Sequence, residues 1–182
     1  QMAAWRSQGL GRVSVAVNLS PCQLRSRSLI EGVQGSLGRH GIGPGELEME
    51  VTESMMMDEP EQAIGILNDL RAQGVELSID DFGTGYSSMA YLKRLPLTTL
   101  KLDQELVGDL TRDPDDEAIT STVIAMGHSL ELTVVAEGVE TAGQLQFLRE
   151  HGCDEVQGHY IAAAMERDAC RAFLARPATV LS

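Results

Sequence analysis

Two adjacent aspartates, Asp80 and Asp81, carry the strongest chemical signal in the sequence. They follow an apolar run at residues 75–79 and precede two glycines, Gly83 and Gly85. Carboxylates a few ångströms apart raise each other's pKa unless a cation lies between them. A helix-capping carboxylate before a glycine turn would account for one aspartate but not for both. The pair therefore indicates a cation site at the end of a strand.

Other polar side chains stand at the same place relative to further apolar runs. Lys101 lies inside the run 99–103, where a buried lysine needs an acidic partner. Asn18 could instead cap a helix, because residues 19–21 read Leu-Ser-Pro, and Glu50 could be an ordinary strand-end acid. The polar residues within or at the ends of the runs are Asn18, Glu50, Asp80, Asp81, Lys101, Asp103, Glu137 and Gln157.

The elements that must position these side chains are six short, mostly β-branched runs alternating with helical stretches. The runs cover residues 13–17, 47–51, 75–79, 99–103, 132–136 and 155–161. Apolar residues at helical spacing predict helices over 61–73, 117–130 and 141–151, and Thr141 with Gln144 has a capping pattern. This alternation predicts βα units and a parallel sheet.

Two parallel architectures fit this alternation, an open doubly wound sheet and a closed barrel. In a barrel the carboxyl ends of all strands meet at one central site, which matches the polar residues. An open sheet gathers its ligand groups at one switch point, and no glycine-rich phosphate-binding sequence follows any run. The predicted fold is an α/β, TIM-type (β/α) barrel. Such barrels have ~250 residues, so a single domain over residues 1–182, with about six βα units, is expected to lack its N-terminal strands.

Charge and composition limit the function. The net charge of −13, with 14 Lys and Arg residues, argues against duplex nucleic acid as a partner, because proteins that bind it present a basic face. Excess carboxylate can instead hold metal ions that neutralise a small phosphate ligand. Three cysteines without a Cys-x-x-Cys pair favour a reduced, cytoplasmic setting. The four histidines lack the spacing of a zinc site.

The aspartate pair opens a longer segment, Asp80–Ser88, which reads DDFGTGYSS. Five further segments accompany it along the chain: Asn18-Leu19-Ser20, Glu50-Val51-Thr52-Glu53-Ser54, Lys101-Leu102-Asp103, Ala136-Glu137-Gly138-Val139-Glu140-Thr141 and Gln157-Gly158. In type and order, these six segments resemble the motifs of EAL domains, a family of cyclic-di-GMP phosphodiesterases. The resemblance covers nearly the whole chain, and six motifs in family order exclude coincidence.

The resemblance implies a metal site. Asn18, Glu50 and Asp80 would hold one divalent ion together with the glutamate of the Glu-Ala-Leu motif, a tripeptide that this sequence does not contain. Asp80 would bridge to a second ion, with Asp81 and Glu137 close to it. Oxygen ligands of this kind suit Mg²⁺ or Mn²⁺. Two such ions can generate hydroxide and hold both sides of an in-line displacement at phosphorus.

The resemblance also implies roles for three further residues. Lys101 would orient or deprotonate the attacking water, and Gln157 would hold water or substrate. Glu53 would brace the loop from Phe82 to Ser88, which the family uses for substrate-linked ordering and for dimer contacts. The expected reaction is hydrolysis of cyclic-di-GMP to linear pGpG. Two alternatives remain open: a non-catalytic cyclic-di-GMP-binding effector, and an inactive truncated fragment.

The expected partners follow from the same resemblance. They are cyclic-di-GMP, a second copy in a homodimer, and flanking sensory or GGDEF-type domains in a longer protein, which could attach this cytoplasmic domain to a membrane. The sequence departs from the family in two places. The family reads roughly QGYLFSRP after the last strand, and in this chain the polar and proline positions of that segment have become Ala163, Ala164 and Met165. Leu106 stands where the family usually has a phenylalanine. The first departure places the C-terminal substrate contacts in doubt.

Overall fold

A single parallel sheet organises the computed structural model, which describes residues 1–26, 28–52, 55, 60–83 and 92–175. Within these ranges the strand order is β1-β2-β3-β4-β5-β6, and each neighbouring pair is parallel. The strands are β1 (Val15–Asn18), β2 (Leu47–Thr52), β3 (Glu76–Phe82), β4 (Thr99–Leu102), β5 (Thr133–Ala136) and β6 (Glu155–Val156). The helices are α1 (Met2–Ser7), α2 (Pro21–Leu24), α3 (Leu29–His40), α4 (Pro60–Ala72), α5 (Gln104–Gly108), α6 (Pro114–Ser129), α7 (Ala142–Glu150) and α8 (Arg167–Leu174).

The strand order distinguishes the two architectures that the sequence left open. A doubly wound sheet reverses its strand order at a switch point, whereas these strands follow one another in chain order. The six βα units curl into a half-barrel, which confirms the predicted TIM-type arrangement for this part of the chain. All carboxyl ends of the strands therefore open at one mouth.

On β2, β3 and β4, side chains alternate between a helix-facing apolar side and a polar inner side. On β3, Leu77 and Ile79 are buried against helices, while Ser78 and Asp80 point to the inner side between them. Two apolar clusters lie outside the sheet, one under α2–α4 and one under α5–α7. Burial of each large aliphatic side chain contributes about 1.5–3 kcal/mol. This outer core holds the strands in register and leaves the inner side for polar groups.

Two boundaries differ from the predicted ones at places that matter for the site. The sixth run, predicted to reach residue 161, is a strand only at Glu155–Val156 because the chain then turns against the loop after β5. Asp103 does not extend β4. It caps α5, and its side chain accepts a hydrogen bond from the Glu105 N–H at 2.6 Å. The capping pattern of Thr141 and Gln144 is confirmed at the start of α7.

The interpretation of Asn18 as a helix cap is wrong. Ser20 caps α2, and its hydroxyl accepts from the Gln23 N–H while the Gln23 side chain accepts from the Ser20 N–H. Asn18 is instead the last residue of β1 and is solvent-exposed. It is paired in register with Glu50 on β2. This places the two side chains on the same face of the sheet.

The described helices have no segment that is both long and apolar enough to cross a membrane. Cys22, Cys153 and Cys170 are free thiols.

Candidate active site

The ammonium group of Lys101 lies at the centre of the mouth of the half-barrel. Its Nζ atom is 2.5 Å from Glu50 Oε1, 2.5 Å from Glu137 Oε1 and 3.7 Å from Asp80 Oδ1. The Lys101 side chain is 8% exposed. These contacts confirm that the buried lysine has acidic partners. They also bring together residues from β2, β3, β4 and the end of β5.

Two opposing effects act on Lys101. Burial would lower the pKa of its ammonium, but the hydrogen bonds to Glu137 and Glu50 and the charges of Glu137 and Asp80 raise the pKa above its usual value. The lysine is therefore a cation at neutral pH and serves as the counter-ion of the carboxylates. A cation can orient water and stabilise an anion, but it has no lone pair to accept a proton. This metal-free geometry fits orientation of water by Lys101, and both expected roles, orienting and deprotonating the water, stay predictions.

A β-bulge explains how two adjacent aspartates face one site. Ile79 pairs with Leu100 and Phe82 pairs with Leu102, so both aspartates lie opposite the single residue between those leucines, Lys101. Asp81 has a φ of 55°, in the left-handed region that aspartate tolerates better than most residues. Strict alternation would send the two carboxylates to opposite faces. The extra residue and the positive φ of Asp81 confirm the expected turn of the backbone, but the strand continues through Phe82.

Gly83 completes this turn. Its φ is 106°, and a Cβ at this position would lie 2.5 Å from Leu106 Cδ1. Leu106, the residue that replaces the phenylalanine usual in the family, is buried directly against the end of the aspartate strand. The backbone conformation therefore favours glycine here, and any larger residue would also make the Leu106 side chain shift.

Carboxylates crowd around Asp81. Burial raises the pKa of its carboxyl group, and the neighbouring charges of Asp80, Asp103 and Glu137 raise it further. Oxygen donors that repel each other in this way fit a divalent cation, which would relieve the repulsion. Among the described residues, no group of three His, Cys, Asp or Glu side chains is already arranged to hold a metal ion. Glu50 and Glu137 are turned towards Lys101 instead.

We expect Asp81→Asn to stabilise the metal-free protein at pH 7. The pKa of Asp81 is raised in the folded state, so the protonated carboxyl group is the form that the fold favours. Its contribution to the free energy of unfolding is fully present below the ordinary pKa of 3.8 and is lost as pH rises through the higher folded-state pKa. At neutral pH the charge is therefore a cost, which the amide removes while tolerating the positive φ. Urea unfolding should give a higher midpoint for the variant at pH 7, and the difference should shrink towards about pH 4.

The same variant should gain less stability from Mn²⁺ than the parent does, because a carboxylate that faces the cation is gone. Equal urea midpoints at pH 7 without metal, or an unchanged gain on adding Mn²⁺, would contradict this account of Asp81.

The remaining predicted site residues are placed as follows. Gln157 directly follows β6 and is exposed; its backbone N–H donates to Ala136 O at 2.8 Å and its carbonyl accepts from the Val139 N–H at 3.0 Å. Asn18 lies level with Glu50 at the mouth. Glu53 and residues 84–88 of the loop from Phe82 to Ser88 lie outside the described residues. The predictions of a bracing glutamate and of a dimer contact at that loop stay predictions.

The sequence motifs did not single out Ser78, which is fully buried on the inner face of β3. The signal was available, because Ser78 is two residues before Asp80 and therefore shares its face of the strand. Asp103 had no predicted role either. In the structure it caps α5, and its carboxyl group is one of the neighbours that raise the pKa of Asp81.

Gly158 holds the Gln157 turn against the loop after β5, because a Cβ at this glycine would overlap the backbone N and O of Val139. We expect Gly158→Ala to cost about 1–3 kcal/mol of unfolding free energy, as overpacking against a fixed backbone does. The matched control is Gly32→Ala on α3, where the added methyl meets nothing within 4 Å and should stabilise by about 0.5–1 kcal/mol. Urea unfolding measures both, and equal effects at the two glycines would refute the close-approach argument.

Comparison with known proteins assigns the family. The family model of the EAL domain matches residues 1–164. The bifunctional diguanylate cyclase/cyclic di-GMP phosphodiesterase MucR of Pseudomonas aeruginosa is 46% identical over 165 residues, which are 91% of this chain and 24% of MucR. The chain thus spans about a quarter of the length of that relative.

Solved structures agree with this assignment. The c-di-GMP complex of the PaMucR phosphodiesterase is similar with a TM-score of 0.88 and 44% identity, over 93% of this chain and 68% of that one. The manganese/cy-diGMP complex of Klebsiella pneumoniae BlrP1 is similar with a TM-score of 0.78 and 34% identity, over 87% of this chain and 41% of that one. With the motif order, the parallel half-barrel and the acidic mouth around Lys101, these likenesses show that the chain belongs to the EAL domain family.

Proposed function

We propose that this domain hydrolyses cyclic-di-GMP to linear pGpG. The observation that carries the proposal is the buried Lys101 ammonium, which is held by Glu50 and Glu137 where the carboxyl ends of parallel strands meet. A fixed cation among carboxylates can position water and bind the anionic phosphodiester once the negative charge of the mouth is neutralised. The relatives named for cyclic di-GMP phosphodiesterase activity and the solved cyclic-di-GMP complexes support this choice of substrate.

The residues that would hold divalent ions are those with oxygen donors at the mouth. Asn18, Glu50 and Asp80 would hold one Mg²⁺ or Mn²⁺ ion, and Asp80, Asp81 and Glu137 would face a second. Bound ions would lower the pKa of a water molecule and neutralise the phosphate oxygens. The manganese in the complex of the Klebsiella pneumoniae relative supports this cofactor class.

The chain's own groups would act around that metal site. Lys101 would donate hydrogen bonds to the attacking water and keep it in line with the phosphorus, and its charge would stabilise the phosphorane-like transition state. Gln157, exposed beside the mouth, would hold water or substrate. The bracing role of Glu53 belongs to the same proposal.

The proposal includes one further carboxylate, the glutamate of the Glu-Ala-Leu motif, from polypeptide outside these 182 residues. We expect the 182-residue chain alone to hydrolyse cyclic-di-GMP at least about tenfold more slowly than a version extended upstream of Gln1 with two further βα units, because loss of a ligand weakens metal binding. The measurement is pGpG formation, followed by chromatography, with Mn²⁺ or Mg²⁺ present and with both chelated.

Equal turnover by the short and extended chains would show that the ligand set is wrong or that a second chain supplies the missing carboxylate. Absence of pGpG formation by the extended chain with either metal would refute the proposed function itself.

A second candidate function is binding of cyclic-di-GMP without hydrolysis. One observation favours it: Ala163, Ala164 and Met165 replace the polar and proline positions usual in the family. Calorimetry with cyclic-di-GMP in Ca²⁺ or in chelator, beside the turnover assay, separates the two functions. Binding at micromolar affinity without pGpG formation in Mn²⁺ would favour the effector.

Homodimer formation, flanking sensory or GGDEF-type domains and a cytoplasmic location complete the proposal. The bifunctional cyclase and phosphodiesterase activity in the name of MucR supports a second catalytic domain in proteins of this kind. Light scattering of the extended domain at several concentrations, with and without substrate, measures the oligomeric state.

A further inference from the structure

The hydroxyl of Ser78 is a buried polar group that the proposed function has not used. Ser78 is fully buried, and its Oγ atom has no hydrogen-bond partner among the described protein atoms. Leu77 and Ile79, its neighbours on β3, belong to the helix-facing core. Alternation along the strand therefore aims the hydroxyl into the inner face, on the same side as Asp80. A buried hydroxyl without a partner is destabilising in proteins, so this one calls for a partner that the protein atoms do not supply.

The side chain of Lys101 crosses β3 near this position. Lys101 starts on β4 and its Nζ atom reaches Glu50 on β2, while β3 lies between those two strands. Neighbouring strands are about 4.8 Å apart, so the lysine and glutamate together bridge about 10 Å across the inner face of β3. The register pairs Ser78 with Glu50 on one side and with Thr99 on the other. The bridge therefore passes over β3 between Ser78 and Asp80.

Among the described residues, the hydrogen bonds of the ammonium leave one donor without a close acceptor. A lysine ammonium has three N–H groups. Glu50 and Glu137 take two of them, at 2.5 Å each, and Asp80 Oδ1 at 3.7 Å is beyond hydrogen-bond distance. Ser78 supplies an oxygen with free lone pairs on the face of β3 that the ammonium crosses.

We propose that Ser78 is a positioning residue for Lys101: the third N–H of the ammonium donates to one buried water molecule, which in turn hydrogen-bonds to the Ser78 hydroxyl. This inference rests on the proposed phosphodiesterase function for its meaning in catalysis. The small side chain of Ser78 also leaves Lys101 room to cross β3. The contact holds the ammonium in one orientation at the mouth. When divalent ions take Glu50 and Glu137 as ligands, the N–H groups that the two glutamates release would donate to the attacking water, while Ser78 keeps the ammonium in place.

The first experiment observes the ammonium without any turnover. The chain has two lysines, Lys93 and Lys101, so ¹⁵N-lysine labelling gives two ammonium signals in the NMR spectrum. The variant Lys93→Arg removes one of them and so assigns the other to Lys101. Lys101 is buried and ion-paired, and its ammonium protons should exchange slowly enough to be seen, whereas Lys93 is exposed. We expect Ser78→Ala to speed exchange at Lys101 several-fold and to leave Lys93 unchanged.

The second experiment uses variants that separate the hydroxyl from the space it occupies. Ser78→Ala removes the hydroxyl and adds no volume, while Ser78→Thr and Ser78→Val have nearly equal shapes and differ in the hydroxyl. In the extended protein with Mn²⁺, Ser78→Ala should lower kcat about tenfold with little change in KM, as loss of a hydrogen bond to a charged group does. Ser78→Thr should retain about tenfold more kcat than Ser78→Val.

Unchanged Lys101 proton exchange in Ser78→Ala, together with kcat equal to the parent and equal kcat in Ser78→Thr and Ser78→Val, overturns the positioning role. If the parent itself forms no pGpG, the proposed function fails, and the exchange measurement alone then decides the contact between Ser78 and Lys101. Urea unfolding of Ser78→Ala should show that the variant stays folded under the assay conditions, so that slower turnover is not a folding defect.

Discussion

Replacing Lys101 with methionine is expected to lower kcat for cyclic-di-GMP at least about 100-fold and to destabilise the metal-free protein by about 3–5 kcal/mol. Methionine fills similar space but removes the charge that Glu50, Glu137 and Asp80 share. Glu50 and Lys101 are less than a tenth exposed, so solvent cannot replace the lost partner. Turnover of the extended protein and urea unfolding of the 182-residue chain measure the two effects.

Mn²⁺ should restore a large part of the lost stability in Lys101→Met, because a divalent cation among the carboxylates takes over the role of counter-ion. The control is Lys93→Met, which changes the other lysine of the chain at an exposed position and should affect neither measurement. A Lys101→Met protein as stable as the parent in chelator would refute the counter-ion role, and one with normal kcat would remove Lys101 from catalysis.

Glu50→Gln should have an effect of similar size by a different route. The amide keeps the shape of Glu50 but cannot balance the charge of Lys101, and it removes the anionic oxygen that lies level with Asn18 at the end of the neighbouring strand. We expect kcat to fall at least about 100-fold and the Mn²⁺ affinity to fall at least about tenfold, since even indirect ligand partners contribute that much. Calorimetric Mn²⁺ titration and pGpG formation measure these changes.

Glu48→Gln is the matched control for this variant. Glu48 lies two residues earlier on β2, on the same face, and is only half-buried. It has no contact with Lys101 among the described ion pairs. Comparable losses in Glu48→Gln and Glu50→Gln would mean that general negative charge at the inner face matters, and not the specific glutamate at the mouth.

The arrangement of strands could be predicted from local patterns because each βα unit has a recognisable sequence pattern, an apolar run followed by a helical stretch. Each apolar run needs a helix to bring the chain back, and each run ends where its polar residue must face the common mouth. The capping pair Thr141 and Gln144 is equally local, which is why it was predicted correctly. The end of β6 was predicted wrongly because the turn after it depends on the contact of Gly158 with Val139, a loop distant in sequence.

The sequence by itself determined which residue types stand at the strand ends and, through six ordered motifs, the family. Only the tertiary structure decided how those residues meet. Lys101 reaches Glu50 on a strand two places away because sheet register, set by the outer apolar core, brings them within 2.5 Å. Asp80 and Asp81 share one site because a bulge opposite Lys101 breaks the alternation that sequence spacing alone would impose. Both the contact between Lys101 and Glu50 and the bulge at the aspartates depend on long-range packing, so no local pattern could predict them.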